Sequence, residues 1–265
     1  MTIFHQGHAF LWKHRVEHGD PSLSNMMYDV DLKCGVLTDF DLSLLQWEPR
    51  IIGTDRTGTV PFMATDLLTE AYWRGLIKRF YRHELEAFIW VLPFTFLLYQ
   101  DGMRLSNAYV DPWRTSNYNV CMKEKTAFQE QSTLNAAAST VQTDFKGLWH
   151  LVYFLFRAMD LAKTSRKNRY DAIIELADLD SEAVLPSEPS DSGVESKEMW
   201  DFFISALDRY TRMIAVEHRT QFSSLVTRLK AHQPDFTKLT DEEATLLREK
   251  YARLSSGIRL IYNWQ

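Results

Sequence analysis

Hydrophobic residues along the chain recur mostly at helical spacing. Residues 3–17 place apolar side chains among polar ones with the period of an amphipathic helix. Residues 81–100 (YRHELEAFIWVLPFTFLLYQ) are apolar on nearly every side after the first turn, which predicts a helix buried in the centre of the protein. Residues 139–162 carry apolar side chains three and four positions apart, and this spacing predicts a long helix.

Two short runs have the character of strands instead. Met26–Val30 and Cys34–Phe40 are separated by three residues, so we expect them to pair as a small hairpin. Residues 18–25 (HGDPSLSN) precede the hairpin and consist largely of turn formers, which predicts a loop. Glycine and proline interrupt residues 42–62, which we expect to be irregular.

The second half of the chain contains one segment of different composition. Residues 176–197 (LADLDSEAVLPSEPSDSGVESK) are acidic, rich in Ser and Pro, and contain no aromatic residue. Such a segment cannot bury enough apolar surface to offset its ordering entropy, so we expect a disordered loop. The helical pattern resumes at Glu198, and a last helix is predicted from near Thr240, where Thr-Asp-Glu-Glu is typical of a capped helix start. The sequence therefore predicts one mainly α-helical domain over residues 1–265.

Composition and charge exclude several classes of partner. Hydrophobic residues make up 45% of the chain and aromatic residues 13%, which is typical of a globular protein. A net charge of −5 gives no basic surface for nucleic acid or an anionic membrane. The longest apolar run, Ala87 to Tyr99, has 13 residues and is too short to span a bilayer. With only two cysteines and no apolar signal segment at the N-terminus, we expect an intracellular protein, cytoplasmic or nuclear.

Three short polar segments supply the candidate chemistry. The first is His18-Gly19-Asp20 followed by Asn25, the second is Asp39-Phe40-Asp41 at the end of the second predicted strand, and the third is 58–66 (GTVPFMATD). Each alone is typical of an ordinary turn or strand end. Together they contain what phosphate transfer to a hydroxyl needs, namely a carboxylate that accepts the proton and oxygen ligands for Mg²⁺.

In their order and spacing these segments resemble protein kinases. Asp20 and Asn25 are spaced as in H-R-D-x-x-x-x-N, and Asp39 follows a hairpin later, as D-F-G does. The run from about residue 5 to 100, including His83-Glu84-Leu85-Glu86-Ala87, is similar to fungal-type kinase-like proteins. The resemblance implies the helical C-terminal lobe (C-lobe) of a kinase fold, with a small β-hairpin that carries the site residues.

The resemblance also implies a role for each matching residue. Asp20 would be the catalytic base, and Asn25 and Asp39 would bind Mg²⁺, with Asp39 contacting the ATP phosphates through the metal. Thr59 would brace the catalytic loop, and Asp66 would replace the Glu of A-P-E. Residues 81–100 would be the central helix of the lobe.

Departures from the kinase pattern limit what the resemblance implies. Gly19 replaces the Arg of H-R-D, so switching by phosphorylation of the activation loop is not expected. Asp41 replaces the Gly of D-F-G and adds a carboxylate beside the cofactor, where it either binds metal or repels phosphate. Glu84 stands where the central helix normally begins with Asp. Only seventeen residues precede His18, so no G-x-G-x-x-G loop and no strand lysine for ATP occur upstream.

Three hypotheses of function follow. The first is a kinase-like phosphotransferase unit that uses ATP and Mg²⁺ on a Ser/Thr or small-molecule hydroxyl, with its N-terminal lobe (N-lobe) supplied elsewhere or lost. The second is a truncated pseudokinase that acts as an interaction module, which Gly19, Asp41 and the missing lobe favour. The third is a kinase scaffold turned to other chemistry. A missing N-lobe would expose apolar surface, and we expect a protein partner or a second copy to bind there.

Overall fold

The computed structural model describes residues 2–31, 34–48, 58–106, 108–179, 192–237 and 239–250. Within these ranges helices predominate, and strands form only two-stranded antiparallel sheets. The helices are α1 (Thr2–Lys13), α2 (Glu70–Trp73), α3 (Tyr81–Leu98), α4 (Tyr118–Phe128), α5 (Gln131–Ala138), α6 (Lys146–Leu179), α7 (Ser192–Met213) and α8 (Val216–Ala231). The strands are β1 (Val16–Glu17), β2 (Met26–Asp29), β3 (Cys34–Leu37), β4 (Leu44–Leu45), β5 (Tyr99–Gln100) and β6 (Met103–Arg104). The mainly α-helical fold class with a small β-hairpin is thus confirmed, and it is consistent with the kinase-like C-lobe that the resemblance implies.

Helix α3 forms the centre of the core, as its apolar sequence predicts. Almost all of its side chains are buried, and it packs against α6 and α7, which also pack along each other. The Trp90 ring contacts Trp113 and Phe156, with ring centroids 5.3 and 4.9 Å apart. Because aromatic side chains bury the largest apolar area per residue, this cluster contributes much of the stability of the core.

Two antiparallel strand pairs hold the candidate loops close to one another. β2 pairs with β3 in the predicted hairpin, with Met27 opposite Val36. β1 pairs with β4, with Val16 opposite Leu45. The loop that leaves β1 enters β2, and the loop that leaves β3 enters β4. The two pairings therefore place residues 18–25 and 38–43 side by side.

The same pairing corrects two boundaries that the sequence predicts. Helix α1 ends at Lys13 and not at residue 17, because the chain turns at Arg15 (φ 64°) and then forms β1. The predicted irregular stretch 42–62 contains β4, and its residues 49–57 lie outside the described residues. Both differences arise from a pairing between residues about thirty positions apart, which local periodicity does not reveal.

The C-terminal helices begin and end at different residues from those predicted. The long helix α6 begins at Lys146, after a short 3₁₀ turn at Thr143–Phe145, and not at residue 139. It continues to Leu179, and α7 begins at Ser192, so both ends of the predicted loop 176–197 are helical. Residues 180–191 of that loop lie outside the described residues.

The predicted start of the last helix is confirmed by its hydrogen bonds. The Glu243 backbone N–H donates to the Thr240 hydroxyl at 3.2 Å, and the Thr240 backbone N–H donates to the Glu243 carboxylate at 2.8 Å. This reciprocal pair is a capping box, and residues 241–250 are helical after it.

Among the described residues, no helix is both long enough and apolar enough to cross a membrane.

Candidate functional site

The Asp20 carboxylate is fixed by three hydrogen bonds from neighbouring residues. Residues 18–25 form the loop between β1 and β2, and Asp20 is half-buried within it. The Thr59 backbone N–H donates to Asp20 Oδ1 at 2.7 Å, and the Thr59 hydroxyl donates to Oδ2 at 2.8 Å. The side-chain amide of Asn25 donates to Oδ2 at 3.2 Å. Donors on both oxygens hold the carboxylate in one orientation, so Thr59 braces the loop as the resemblance implies.

Asn25 is buried and ties both ends of this loop together. Its Nδ2 also donates to the Asp20 backbone carbonyl at 3.0 Å. The Asn25 backbone carbonyl accepts from the Thr38 N–H at 2.9 Å and from the Thr38 hydroxyl at 3.3 Å. With Nδ2 engaged on the loop, the side-chain oxygen Oδ1 is the Asn25 atom that is able to coordinate a cation.

His18 connects the same two segments from inside the protein. Its Nδ1 accepts from the Asp20 backbone N–H at 3.3 Å, so Nε2 carries the proton and donates to the Thr38 carbonyl at 3.1 Å. Burial lowers the pKa of His18, partly offset by the nearby Glu84 carboxylate, and the ring is neutral near pH 7. A neutral, doubly hydrogen-bonded imidazole therefore fixes the distance between the Asp20 loop and the end of β3.

Asp39 and Asp41 lie beside this junction and face solvent. Both are exposed, and Asp39 has a left-handed backbone (φ 62°), which Asp adopts more readily than most residues. Phe40, between them, packs on His18 with ring centroids 4.9 Å apart. Thr38, which binds Asn25, directly precedes Asp39. The structure thus joins Asp20 and Asn25 by a direct hydrogen bond and brings Asp39 next to them through its neighbour, whereas Asp41 lies further along the exposed loop.

The donor set fits a magnesium ion that is carried by a nucleotide. In the described ranges no three His, Cys, Asp or Glu side chains are grouped so that they would hold a metal by themselves. The expected ligands Asn25 and Asp39 are one amide and one carboxylate. Mg²⁺ usually takes one or two protein oxygens, together with water and phosphate oxygens. The predicted roles of these residues therefore agree with the chemistry of their side chains and remain predictions.

Glu84, on the first turn of α3, clamps the backbone of the Asp20 loop. Its carboxylate accepts from the Gly19 N–H at 2.8 Å and from the His18 N–H at 3.3 Å, and it also contacts the His8 ring of α1. Burial opposes ionisation of Glu84, but the charges of His8 and Arg79 and these hydrogen bonds lower its pKa to about 2. Glu84 therefore takes the bracing role that the resemblance implies, despite its longer side chain.

The geometry explains why position 19 is glycine. Gly19 has φ 88°, a conformation that residues with a side chain rarely adopt. A Cβ atom at this position would lie 2.4 Å from the Leu42 backbone carbonyl oxygen, which is a severe clash. The loop that follows Asp41 therefore excludes any side chain at position 19, including the arginine that kinases carry there.

The segment that contains Thr59 is anchored at its other end by Asp66. One oxygen of Asp66 forms ion pairs with Arg82 at 2.6 Å and with Arg166 at 3.1 Å, and Arg82 also pairs with Glu195 on α7 at 2.8 Å. Although burial raises the pKa of Asp66, His83 and the two arginines lower it well below its usual value. The residue that replaces the Glu of A-P-E thus joins segment 58–68 to α3, α6 and α7.

Two buried charged residues support this segment from below. Glu86 of α3 accepts from the Thr65 N–H at 2.9 Å and from its hydroxyl at 3.0 Å. Lys125 of α4 donates to the Met63 carbonyl and lies 4.3 Å from the centre of the Trp90 ring. Burial lowers the pKa of Lys125 to about 7. Both side chains therefore hold the backbone of segment 58–68 from within the core and are not exposed to solvent.

Sequence reasoning missed most of this support. Arg79 and Lys125 lie outside the three motif segments and outside the other residues that carry the resemblance, and no local pattern marks them. One signal was present, because charged residues in the otherwise apolar α3 need buried partners.

A cavity of about 440 Å³ between α2 and the start of α4 contains none of the predicted site residues; it is lined by Glu70, Trp73, Ser116, Asn117, Tyr118 and Asn119.

Comparison with known proteins bears on the first third of the chain. Residues 5–96, which are 92 of the 265 residues, match a family model described as fungal protein kinase. This range begins in α1 and ends within α3, so it contains the Asp20 loop, the hairpin, segment 58–68 and Glu84. The similarity to fungal protein kinases that the motifs indicate is thereby confirmed for this part of the chain. No curated protein and no solved structure gives a significant match.

Proposed function

We propose that this chain is a kinase-like phosphotransferase unit that binds ATP with Mg²⁺ at the surface formed by Asp20, Asn25 and Asp39. The observation that carries the proposal is the fixed Asp20 carboxylate, held by Thr59 and Asn25 beside the segment that leads to Asp39. Phosphate transfer relies on positioning more than on covalent chemistry by the protein. A carboxylate held by three donors beside the proposed metal ligands Asn25 and Asp39 supports that role.

In this proposal Asp20 acts as the base. It orients an acceptor hydroxyl, on a Ser or Thr side chain or a small molecule, and accepts its proton as the oxygen attacks the γ-phosphorus of ATP. The bond from that phosphorus to the β–γ bridging oxygen breaks, and ADP leaves. Mg²⁺ held by Asn25 Oδ1 and Asp39 would neutralise charge on the phosphates. Asp41 would lie beside the same phosphates.

The nucleotide would also need cover on its other side. Five apolar side chains of the hairpin and its flank are exposed, and we refer to them as the hairpin patch: Met27 (55%), Tyr28 (61%), Val30 (75%), Val36 (39%) and Phe40 (44%). Apolar residues grouped on a surface commonly mark an interface. We propose that a nucleotide-covering lobe, supplied by another polypeptide or by a further part of the protein, binds the hairpin patch and completes the ATP site.

The proposal is tested by ligand-induced stabilisation. A thermal-shift titration with ATP and Mg²⁺, separately and together, should raise the unfolding temperature only when both are present. A ligand at 100 times its Kd stabilises the folded state by about 2.7 kcal/mol. Asp39→Asn should abolish the rise, whereas Asp101→Asn should retain it, because Asp101 is an exposed, left-handed Asp (φ 50°) in a different hairpin. No rise with the wild type, or an equal rise with Asp39→Asn, would contradict the proposed site.

A second candidate function is an interaction module without catalysis, which the hairpin patch itself favours. In that case the chain would associate with itself or with a partner through these residues. Sedimentation velocity over a wide concentration range should then show association that Val36→Thr weakens. Val216→Thr is the matched control, because Val216 is exposed on α8 outside the patch. A monomer at every concentration would reject self-association.

A further inference from the structure

Arg79 contacts both segments that meet at Asp20. It is buried, lies two residues before α3, and donates through Nη1 to the Gly19 backbone carbonyl. A Cβ atom added to Gly19 would lie 3.4 Å from Nη1, and one added to Gly58 would lie 3.8 Å from Nη2. One guanidinium group therefore packs against the residue before Asp20 and the residue before Thr59.

Asp20 and Thr59, which directly follow these two glycines, form the central contact of the candidate site. Thr59 donates both of its hydrogen bonds to the Asp20 carboxylate. Gly19 and Gly58 both have positive φ, at 88° and 143°, and neither has a side chain that could pack between the two segments at this point. A rigid group inserted between them fixes the separation at which Thr59 reaches Asp20.

The charge of Arg79 is balanced within the same structure. Glu84 accepts from the Gly19 N–H at 2.8 Å, while Arg79 donates to the Gly19 carbonyl, so Gly19 is held on both sides. The Arg79 charge also contributes to the low pKa of Glu84. A guanidinium suits this position because its planar fork presents several donors in fixed directions, which a lysine cannot do.

We propose that Arg79 is the positioning residue that fixes Asp20 against Thr59, and that it does so without phosphorylation of segment 58–68. The clash at Gly19 excludes an arginine within the loop, and Arg79 supplies a guanidinium from outside it. One of its partners is the Gly19 backbone carbonyl, which is present whether or not segment 58–68 is phosphorylated. The catalytic significance of Arg79 rests on the proposed function, whereas its structural effect is independent of it.

The first test is amide hydrogen exchange of the full chain without ligand. Arg79→Met should raise the exchange rate of the Thr59 and Gly19 amides by about tenfold or more relative to those of α6, through local opening. Arg82→Met is the matched control, because Arg82 is also a largely buried arginine but pairs with Asp66 and Glu195. It should raise exchange near residues 64–68 and leave the Thr59 amide unchanged. Equal exchange at Thr59 in both variants would overturn the proposal.

Two further arms keep this test decisive. Arg79→Lys keeps the positive charge but has one donor nitrogen in place of the planar fork, so its Thr59 exchange rate should lie between those of wild type and Arg79→Met. This variant carries the test if Arg79→Met does not fold. Phosphatase treatment of the wild type should leave the protection of Thr59 unchanged. Loss of that protection on dephosphorylation would overturn the claim of independence from phosphorylation.

The catalytic arm separates this inference from the proposed function. Where the wild type transfers phosphate, Arg79→Met should lower kcat by about 100-fold, the scale of a small misplacement of a catalytic group, with little change in KM for ATP. A change in KM alone would overturn the positioning role. A wild type that neither binds nor uses ATP overturns the proposed function, and the exchange comparison then decides the structural role of Arg79.

Discussion

Replacing Glu84 by Gln removes the charge on which the Asp20 loop depends. The Glu84 carboxylate is almost fully buried and binds two backbone N–H groups and the His8 ring. A glutamine side chain keeps one acceptor oxygen, but an NH₂ group replaces the other. That NH₂ group is a donor, and it would face a backbone N–H group that is also a donor. We therefore expect Glu84→Gln to destabilise the protein at neutral pH.

The size of the effect follows from the pKa of Glu84. Its pKa falls from 4.5 to about 2 in the folded protein. A depressed carboxyl pKa stabilises the folded state at pH values above 4.5, and this contribution is lost as the pH falls from 4.5 through 2. At about 1.4 kcal/mol per pKa unit, the ionised Glu84 contributes about 3 kcal/mol at neutral pH. That is a large part of the 5–15 kcal/mol, roughly, that stabilises a typical domain.

Urea unfolding measures the stability lost at pH 7 and how that loss depends on pH. Wild type and Glu84→Gln are compared at pH 7 and at several values between pH 5 and 3. The variant should lose about 3 kcal/mol at pH 7, and the difference between the two proteins should shrink as the pH falls. Glu70→Gln is the control, because Glu70 forms an exposed i,i+4 pair with Arg74 and such pairs contribute about 0.5 kcal/mol or less. Equal stability of Glu84→Gln and Glu70→Gln would refute the reasoning.

Three further substitutions test separate parts of the structure. Gly19→Ala should lower the free energy of unfolding by about 3 kcal/mol or prevent folding, because its Cβ would lie 2.4 Å from the Leu42 carbonyl oxygen. Gly102→Ala is the control: Gly102 has φ 74° but open space around it, so urea unfolding should show a loss of about 1 kcal/mol. Burial lowers the pKa of Lys125 to about 7, so between pH 7 and 9 its amine is protonated in the unfolded chain and largely neutral in the folded one. The wild type should therefore gain stability relative to Lys125→Met as the pH rises from 7 to 9, and a pH-independent difference would contradict this. Asp66→Asn should cost about 2 kcal/mol at pH 7, because the partly buried Arg82 and Arg166 would then share Glu195 as their remaining carboxylate, and an unchanged urea midpoint would show that this ion-pair cluster contributes little.

The elements that the sequence predicts correctly are those with a strong local signal. Helix α3 is apolar on nearly every side after its first turn, the hairpin β2–β3 consists of two short strand-like runs separated by three residues, and the helix after Thr240 has a complete capping box. Each of these patterns is sufficient alone because neighbouring residues supply the partners.

The elements that the sequence does not predict depend on distant partners. Val16–Glu17 reads as the end of α1, and only its pairing with Leu44–Leu45 makes it a strand. The long helix α6 continues past residue 162 because α7 packs along it, whereas its later residues are too polar to predict a helix by periodicity. Tertiary contacts override local propensity in both cases.

The candidate site divides in the same way. Asp20, Asn25, Asp39 and Thr59 are found from short motifs, because their spacing along the chain is itself the signal. The residues that hold them, such as Arg79, become visible only once the loops are folded around them. The glycine at position 19 is a departure from the kinase pattern in the sequence, and in the structure it is a steric requirement imposed by Leu42.

Paramagnetic broadening of backbone amide signals by Mn²⁺ with ATP tests the central claim most directly, because Mn²⁺ takes oxygen ligands as Mg²⁺ does and reports where it binds. The account predicts that broadening is strongest at residues 18–25 and 34–41 and at the Thr59 amide, which donates to Asp20, and that it requires ATP and is lost in Asp39→Asn. Broadening elsewhere, or none at millimolar Mn²⁺ and ATP, would contradict a metal–nucleotide site at Asp20, Asn25 and Asp39.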